Sequence, residues 1–174
     1  ATWFGNQHIH LKRLLHELGL DYYEQYMKGT SFFQPLSTSP ASAIPIPSQP
    51  PSYRITNGTS SLIKVLAKRI GNDYINVNQQ VKSIDFSETQ VHLISNNETF
   101  TANRVVLALP PKLWANNIAI APKLPQNLLD TALTTHTWME NSIKGALSYP
   151  TPFWRNSGQS GTLFSNSGPI TEFY

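Results

Sequence analysis

The chain has no cysteine and few charged residues. Of its 174 residues 13% are charged, well below the roughly 25% of an average globular protein. The missing cysteines exclude disulfides and thiolate metal sites within this sequence, and they are typical of a cytoplasmic protein. The formal charge of +3 comes from scattered lysines and arginines without a basic stripe, so no nucleic-acid partner is expected.

Long apolar runs, phosphate-binding glycine loops and metal-ligand clusters are missing too. No stretch approaches the roughly 18 apolar residues of a membrane-spanning helix, so no membrane span is expected in this segment. No Gly-x-Gly-x-x-Gly follows a predicted strand, which excludes the phosphate-binding start of a dinucleotide fold. His8, His10 and His16 share a predicted helix, but no carboxylate completes a ligand set, so we expect no metal.

The patterns that are present predict an α+β fold, with an antiparallel or mixed sheet and flanking helices. Apolar spacing predicts helices over residues 6–18, 59–70 and 125–136. The first is predicted to begin at Asn6 as its N-cap, to carry a leucine stripe (Leu11, Leu14, Leu15 and Leu18) and to stop at Gly19. Short apolar or alternating runs predict strands over residues 74–77, 81–86, 91–95, 99–101, 104–109, 142–149, 162–165 and 170–174. Asn96-Asn97 is predicted as a hairpin turn, and the last two strands are predicted to pair. The run 104–109 is apolar almost throughout, which predicts a strand buried on both faces.

Prolines are concentrated between residues 35 and 51, where serines separate them. Proline fixes φ, lacks an amide donor and restricts the residue before it. We therefore predict an extended, mobile loop without a helix over this stretch.

Lys144 lies within the predicted strand 142–149. Alternation along that strand would bury Ile143 and Tyr149 on one face and present Lys144 on the other. Gly145 and Ala146 are small, so a large group could approach Lys144 closely. Spacing alone favours the alternative, a solvated lysine on a half-exposed strand, because lysines are mostly exposed.

An aromatic block follows the predicted strand, with Phe153, Trp154 and Arg155 directly after Pro152. We predict that the two rings fill a corner of the core. The guanidinium of Arg155 is predicted to lie over an aromatic face.

Five segments, in order along the chain, resemble the flavin-containing amine oxidases, the monoamine and polyamine oxidase family. The most specific runs from Lys144-x-x-x-x-Tyr149 through Pro152-Phe-Trp-Arg155 and Gly158-x-Ser-Gly161 to Phe164-Ser-x-x-Gly-Pro169. The other four are residues 1–5 with the helix after them, 53–58, 81–85 and 105–111.

The resemblance implies an enzyme that uses FAD to oxidise a small-molecule amine to an imine, and so to an aldehyde, while O2 is reduced to H2O2. It gives the catalytic role to Lys144, which would hold a water near the reactive nitrogen of the flavin. The cofactor-binding residues that it implies are Thr2 and Trp3 at the flavin or the substrate entrance, Val81 at the adenine end, and Ala108 and Leu109 beside the ring. Ordinary core packing is the alternative for each of these five residues.

The resemblance also implies that the chain is the central piece of a longer enzyme. It divides the chain into a flavin-contact turn and helix (1–34), the Pro/Ser-rich loop (35–52), a helix and β-meander of the FAD domain (53–111) and a portion of the substrate domain (112–174). Alone, this segment is expected to be inactive and to hold no FAD. It is also expected to self-associate, because residues 105–107 need apolar cover.

Two other functions stay open from the residues. The first is another flavin enzyme of the same superfamily, such as a desaturase or a porphyrinogen-type oxidase. The second is a non-catalytic module that binds a small ligand or a protein.

Overall fold

The computed structural model describes residues 3–45 and 50–174. The fold is α+β, as predicted, with three sheets and four α-helices in the described chain. The strands are β1 (Phe4–Gly5), β2 (Tyr22–Glu24), β3 (Thr30–Gln34), β4 (Ser42–Ile44), β5 (Ser52–Ile55), β6 (Val81–Asp85), β7 (Val91–Ser95), β8 (Thr99–Ala102), β9 (Ala119–Ala121), β10 (Gln159–Ser165) and β11 (Glu172–Phe173). The helices are α1 (Ile9–Glu17), α2 (Thr59–Ile70), α3 (Pro111–Asn117) and α4 (Gln126–Thr134).

The chain forms two compact units. Unit 1 comprises residues 1–72 and 147–174, and unit 2 comprises residues 73–146. The four segments drawn from the family resemblance have different limits. They assign functional roles rather than compact bodies, and they remain a prediction.

The apolar core of unit 1 lies between helix α1 and a three-stranded sheet. The sheet has the order β1-β5-β2 and is antiparallel throughout. Leu15 of α1 is fully buried and packs with Phe4 and Ile55 from the sheet. The predicted leucine stripe of this helix is therefore confirmed. Gly19 has φ +67, the left-handed conformation in which glycine commonly ends a helix, so the predicted stop is confirmed as well.

The second sheet of unit 1 has the order β11-β10-β3-β4. Strand β10 pairs antiparallel with β11, which confirms the predicted pairing of the last two strands. It also pairs in parallel with β3, although the two strands are far apart in sequence. Hydroxyls fill the buried positions at this junction, and Ser31 Oγ lies 2.8 Å from Ser160 Oγ. The parallel junction is thus held by a buried polar contact rather than by an apolar one.

Unit 2 contains a four-stranded sheet with the order β8-β7-β6-β9. Strands β6, β7 and β8 form the predicted antiparallel meander, and the β7–β8 hairpin turns at Asn96 and Asn97 as predicted. Strand β9 runs parallel to β6. Ile84 and Ala132 are the buried apolar residues described in this unit.

Three predicted strands are wrong, those over 74–77, 104–109 and 142–149. The last two form no regular structure, and Val106 and Ile143 are 88% and 100% exposed. Both segments are apolar, but a strand also needs a neighbouring strand to pair with its backbone hydrogen-bonding groups. Neither segment pairs with a strand in the described part of the chain.

Smaller corrections concern element ends. Helix α1 begins at Ile9 with His8 at its N-cap, not Asn6, and α2 is capped by Gly58. No strand forms over 74–77, because Tyr74 ends a 3-10 turn, Asn72–Tyr74, and residues 75–77 are irregular. In the proline-rich stretch the described residues form no helix, but β4 is a strand where a loop was predicted. The rest of that prediction, residues 46–49, lies outside the described chain.

Candidate functional site

A cleft of about 930 Å³ opens in unit 1. Its walls combine aromatic rings with a few charged side chains, and we call it the aromatic cleft. The lining residues that matter here are Trp3, Glu24, Tyr26, Lys28, Phe164 and Tyr174. Strand β2, the segment after it and strand β10 supply most of these side chains, and both strands belong to unit 1.

The rings of the aromatic cleft hold one another edge to face. The centroids of Trp3 and Tyr174 lie 4.7 Å apart at 72°, and those of Phe164 and Tyr174 lie 6.1 Å apart at 87°. Such pairs are favourable because the positive edge of one ring meets the negative face of the other. The result is a fixed apolar wall that can pack against the hydrocarbon part of a ligand.

Carboxylates lie beside this wall. Glu24 lines the aromatic cleft directly, and Glu172 accepts a hydrogen bond of 2.9 Å from the hydroxyl of Tyr174. Burial, followed by the contact with Glu172, raises the pKa of Tyr174 to about 12, so its phenol stays neutral near pH 7. Lys28 also lines the cleft, so Glu24 is the lining side chain that attracts a positive head, beside apolar walls that suit a hydrocarbon body.

The predicted site residues fall into both units. Trp3 lines the aromatic cleft in unit 1, and its place at the flavin or the substrate entrance remains a prediction. Thr2 lies outside the described residues. In unit 2, Val81 is the first residue of β6 and is half-buried. Ala108, Leu109 and Lys144 are exposed in irregular segments, and their roles remain predictions.

The residues of unit 2 do not by themselves fit a bound flavin. An isoalloxazine ring needs a walled apolar site, whereas Ala108, Leu109 and Lys144 are exposed to solvent. The pyrophosphate of FAD needs a glycine-rich turn at a helix N-terminus, and the sequence has no such motif. We therefore derive no reaction step through the cofactor from these residues.

Glu24, Tyr26, Phe164 and Tyr174 were missed as site residues at the sequence level. Tyr26 belongs to the aromatic run of residues 22–26, but nothing local showed that it shares a cleft with Phe164 and Tyr174. The parallel pairing of β10 with β3 joins segments more than 120 residues apart. Sequence spacing alone does not reveal such a pairing.

The described chain, residues 3–45 and 50–174, contains neither a metal-ligand cluster nor a membrane-spanning helix. No group of three or more histidine, cysteine or carboxylate side chains is placed to hold a metal ion in those ranges. Among the described helices, none combines the length and apolar character needed to cross a bilayer.

Similarity to known proteins covers most of the chain. The family described as flavin containing amine oxidoreductase matches residues 41–173. The probable flavin-containing monoamine oxidase A of Dictyostelium discoideum is 33% identical over 118 residues, which make up 67% of this chain and 25% of that protein. The putrescine oxidase of Kocuria rosea is 31% identical over 132 residues, or 70% of this chain and 27% of that protein. The chain spans about a quarter of the length of these curated relatives.

Solved structures agree in fold. Wild-type putrescine oxidase bound to putrescine superposes with a TM-score of 0.76 at 17% identity, covering 98% of this chain and 59% of that chain. Cyclohexylamine oxidase from Brevibacterium oxydans IH-35A gives a TM-score of 0.74 at 15% identity, covering 99% of this chain and 62% of that chain. At these identities the likeness concerns the fold alone. Because the family match extends over more than half of its residues, the chain belongs to the flavin-containing amine oxidoreductase family.

Proposed function

We propose that the protein containing this chain oxidises a small amine with FAD and passes the electrons to O2. The observation that carries the proposal is the family match over residues 41–173. The amine loses two electrons and two protons to become an imine, and O2 gains them to become H2O2. Water then hydrolyses the imine and releases ammonia, with an aldehyde as product for an amine on a CH2 carbon such as putrescine and a ketone for cyclohexylamine.

Within this chain the aromatic cleft is the proposed place for the amine. Trp3, predicted at the flavin or the substrate entrance, lines this cleft. The carboxylate of Glu24 attracts the ammonium group, and the rings of Phe164 and Tyr174 pack against the hydrocarbon. Aromatic walls of this kind bind organic cations without requiring a particular hydrogen-bond pattern.

Lys144 is the proposed catalytic residue, as the family resemblance implies. Its side chain is exposed in the described chain. A positive charge placed where O2 is reduced stabilises the negative charge that develops on oxygen. The flexible lysine side chain also has donors that can hold a water.

The first amines to test come from the named relatives. One solved structure of similar fold is a putrescine oxidase with putrescine bound, and another is a cyclohexylamine oxidase. Putrescine is a flexible diamine and cyclohexylamine a compact monoamine, so together they sample two shapes. Both have the positive head and hydrocarbon body that the aromatic cleft suits.

The test uses the flavin-loaded, full-length protein with each amine in air-saturated buffer. An oxygen electrode and a peroxidase-coupled assay should show equal rates of O2 uptake and H2O2 formation that depend on the amine. A protein that binds FAD but forms no peroxide with any amine would contradict the proposal and favour the desaturase-type alternative. A protein that binds no flavin would favour the non-catalytic module.

A further inference from the structure

We propose that Arg155 is a positioning residue that holds the ring of Tyr26 as a wall of the aromatic cleft. Arg155 thereby sets the affinity for the hydrocarbon part of the amine without touching the amine itself. This inference rests on the proposed function, because it takes the aromatic cleft as the amine site.

The contact between the two side chains is close. The Cζ atom of Arg155 lies 3.7 Å from the centroid of the Tyr26 ring. Tyr26 lines the aromatic cleft, whereas Arg155 is absent from its lining residues. The guanidinium therefore supports the ring from outside the cleft, and the sequence-based prediction of a guanidinium over an aromatic face is confirmed.

The parallel register of β3 and β10 brings the two residues together. Gln159 pairs with Thr30 in that register. Arg155 lies in the 3-10 turn directly before β10, and Tyr26 lies in the segment directly before β3. Pairing of the first residues of the two strands brings these segments side by side, and the Arg155 guanidinium lies over the Tyr26 ring.

Glycine makes this approach close enough. Gly29 has φ +109, and a Cβ added there would lie 2.6 Å from the carbonyl oxygen of Gly158. The same carbonyl accepts a hydrogen bond of 2.9 Å from the amide of Thr30. The buried contact between Ser31 and Ser160 fixes the next step of the pairing. The Phe153–Ser157 turn, which contains Arg155, is thereby anchored against the segment after Tyr26.

The contact with Arg155 limits which part of a ligand the Tyr26 ring can bind. A guanidinium over one face of the ring draws electron density toward itself, so the ring is a poor partner for a second cation. Tyr26 therefore contacts the hydrocarbon of the amine, while the ammonium group is left to Glu24. The contribution of Arg155 should accordingly be larger for a bulky amine such as cyclohexylamine than for the thin chain of putrescine.

The test compares Arg155→Met, Arg155→Lys, Tyr26→Ala and the double variant Arg155→Met/Tyr26→Ala in the flavin-loaded protein. For cyclohexylamine, Arg155→Met should raise KM about 2–5-fold, the size of one exposed cation–ring contact, and leave kcat nearly unchanged. Tyr26→Ala should raise KM at least as much, and the double variant no further than Tyr26→Ala alone. Arg155→Lys keeps a cation over the ring and should recover most of the affinity.

A second readout is independent of turnover. Cyclohexylamine titrated into the protein should change its tryptophan fluorescence because Trp3 lines the aromatic cleft, and the apparent Kd should shift with Arg155→Met as KM does. The control Arg13→Met removes an exposed arginine paired with Glu17 on helix α1 and should leave KM and Kd unchanged. Unchanged KM and Kd in Arg155→Met would overturn the proposal. So would multiplying effects in the double variant, or equal effects for both amines.

Two further outcomes separate the role of Arg155 from misfolding of a variant and from failure of the proposed function. If Arg155→Met does not fold, Arg155→Gln takes its place because glutamine also removes the cation, and an unchanged Kd in Arg155→Gln would overturn the role of Arg155. If the wild-type protein oxidises no amine but its fluorescence still reports cyclohexylamine binding that weakens in Arg155→Met, the proposed function fails and the positioning role stands.

Discussion

The two units of the chain differ in how completely they bury their apolar side chains. Unit 1 encloses Leu15 completely and packs Phe4 and Ile55 around it. In unit 2 the buried apolar residues of the described chain are Ile84 and Ala132, while Val106 and Ile143 face solvent. Apolar area removed from water is the main stabilising contribution to folding. Unit 1 therefore has its own core, whereas unit 2 leaves its apolar segments without cover.

The difference has a functional side. The aromatic cleft belongs to unit 1, which is the unit with a core to hold the rings in place. The residues that the family resemblance assigns to the flavin's reactive end, Lys144, Ala108 and Leu109, lie on exposed segments of unit 2. Preorganised groups bind and catalyse better than mobile ones. The comparison thus predicts that unit 1 holds the rings of the aromatic cleft in place without help, whereas Lys144, Ala108 and Leu109 need cover from outside unit 2 to be held.

The largest expected effect tests the core of unit 1. Leu15→Ala should lower the free energy of unfolding of unit 1 by about 2–5 kcal/mol, because the substitution removes fully buried methyl groups and leaves a cavity. Urea unfolding followed by tryptophan fluorescence measures the change.

Ile143→Ala is the matched control in unit 2. Ile143 is fully exposed, so its truncation should change the free energy of unfolding by less than about 0.5 kcal/mol. Similar losses in the two variants would break the comparison, since Ile143 would then be buried in solution.

Elements that depend on residues close together in the sequence were predicted correctly. The leucine stripe of α1 and the β7–β8 hairpin at Asn96 and Asn97 follow from neighbours within a few residues, and both are confirmed. The predicted strands 104–109 and 142–149 failed because strand formation depends on a partner elsewhere, which apolar character does not guarantee. Short strands β1 to β5 and the helix α3 were not predicted, because each is too brief to show a period.

The second prediction concerns chemistry on unit 2. In the flavin-loaded, full-length protein, Lys144→Met should slow amine-dependent O2 uptake by roughly 10–1000-fold, or about 1.4–4 kcal/mol of barrier, because one positioned positive charge is removed. Methionine has a similar length, and Lys144 is exposed, so folding and FAD content should change little. Steady-state O2 uptake at saturating amine measures the effect.

The control for Lys144 is Lys123→Met, another lysine of unit 2, which the family resemblance leaves without a role. Its O2 uptake should match that of the wild type. If Lys144→Met also keeps the wild-type rate, Lys144 is an ordinary exposed lysine, which is the alternative that its spacing favoured.

The site was less predictable than the fold. Trp3 was a candidate from the family resemblance, and it lines the aromatic cleft, but its role remains a prediction. The contact between Tyr26 and Arg155 could not be predicted from the sequence, because it depends on the parallel pairing of β3 with β10, which brings the segments before these strands together. A parallel pairing carries no turn signal, unlike a hairpin, so its register is set by long-range packing.

The third prediction uses the uncovered surface of unit 2. The isolated chain should be colourless after desalting and should self-associate and bind a hydrophobic dye, because Val106 and Ile143 are exposed together with other apolar side chains. The double variant Val106→Ser/Ile143→Ser should reduce both dye binding and self-association, measured by fluorescence and light scattering. A monomeric wild-type chain that binds no dye, or a yellow one, would contradict the prediction.

The smallest effect concerns the polar contacts that join α3 to the end of α4 in unit 2. Glu140 Oε1 lies 2.8 Å from Nδ1 of His136 and accepts a hydrogen bond of 3.0 Å from Nζ of Lys112, a residue of α3. The hydrogen bond with His136, then that with Lys112, lowers the pKa of Glu140 from its ordinary 4.5 to about 2. Because the folded pKa is the lower one, the stabilisation is complete above about pH 4.5 and is lost as the pH falls through about 2.

Glu140→Gln should therefore lower the urea midpoint of unit 2 slightly near pH 6, and the difference from the wild type should disappear as the pH approaches 2. The effect is small because water screens an exposed pair. Glu17→Gln, which breaks the ion pair with Arg13 in unit 1, is the control and should leave the midpoint of unit 2 unchanged at every pH. A Glu140→Gln difference that persists unchanged down to pH 2 would mean that packing, not the carboxylate, joins these helices. The helices of unit 2 would then be held by packing, and unit 2 would differ less from unit 1 in how it is stabilised.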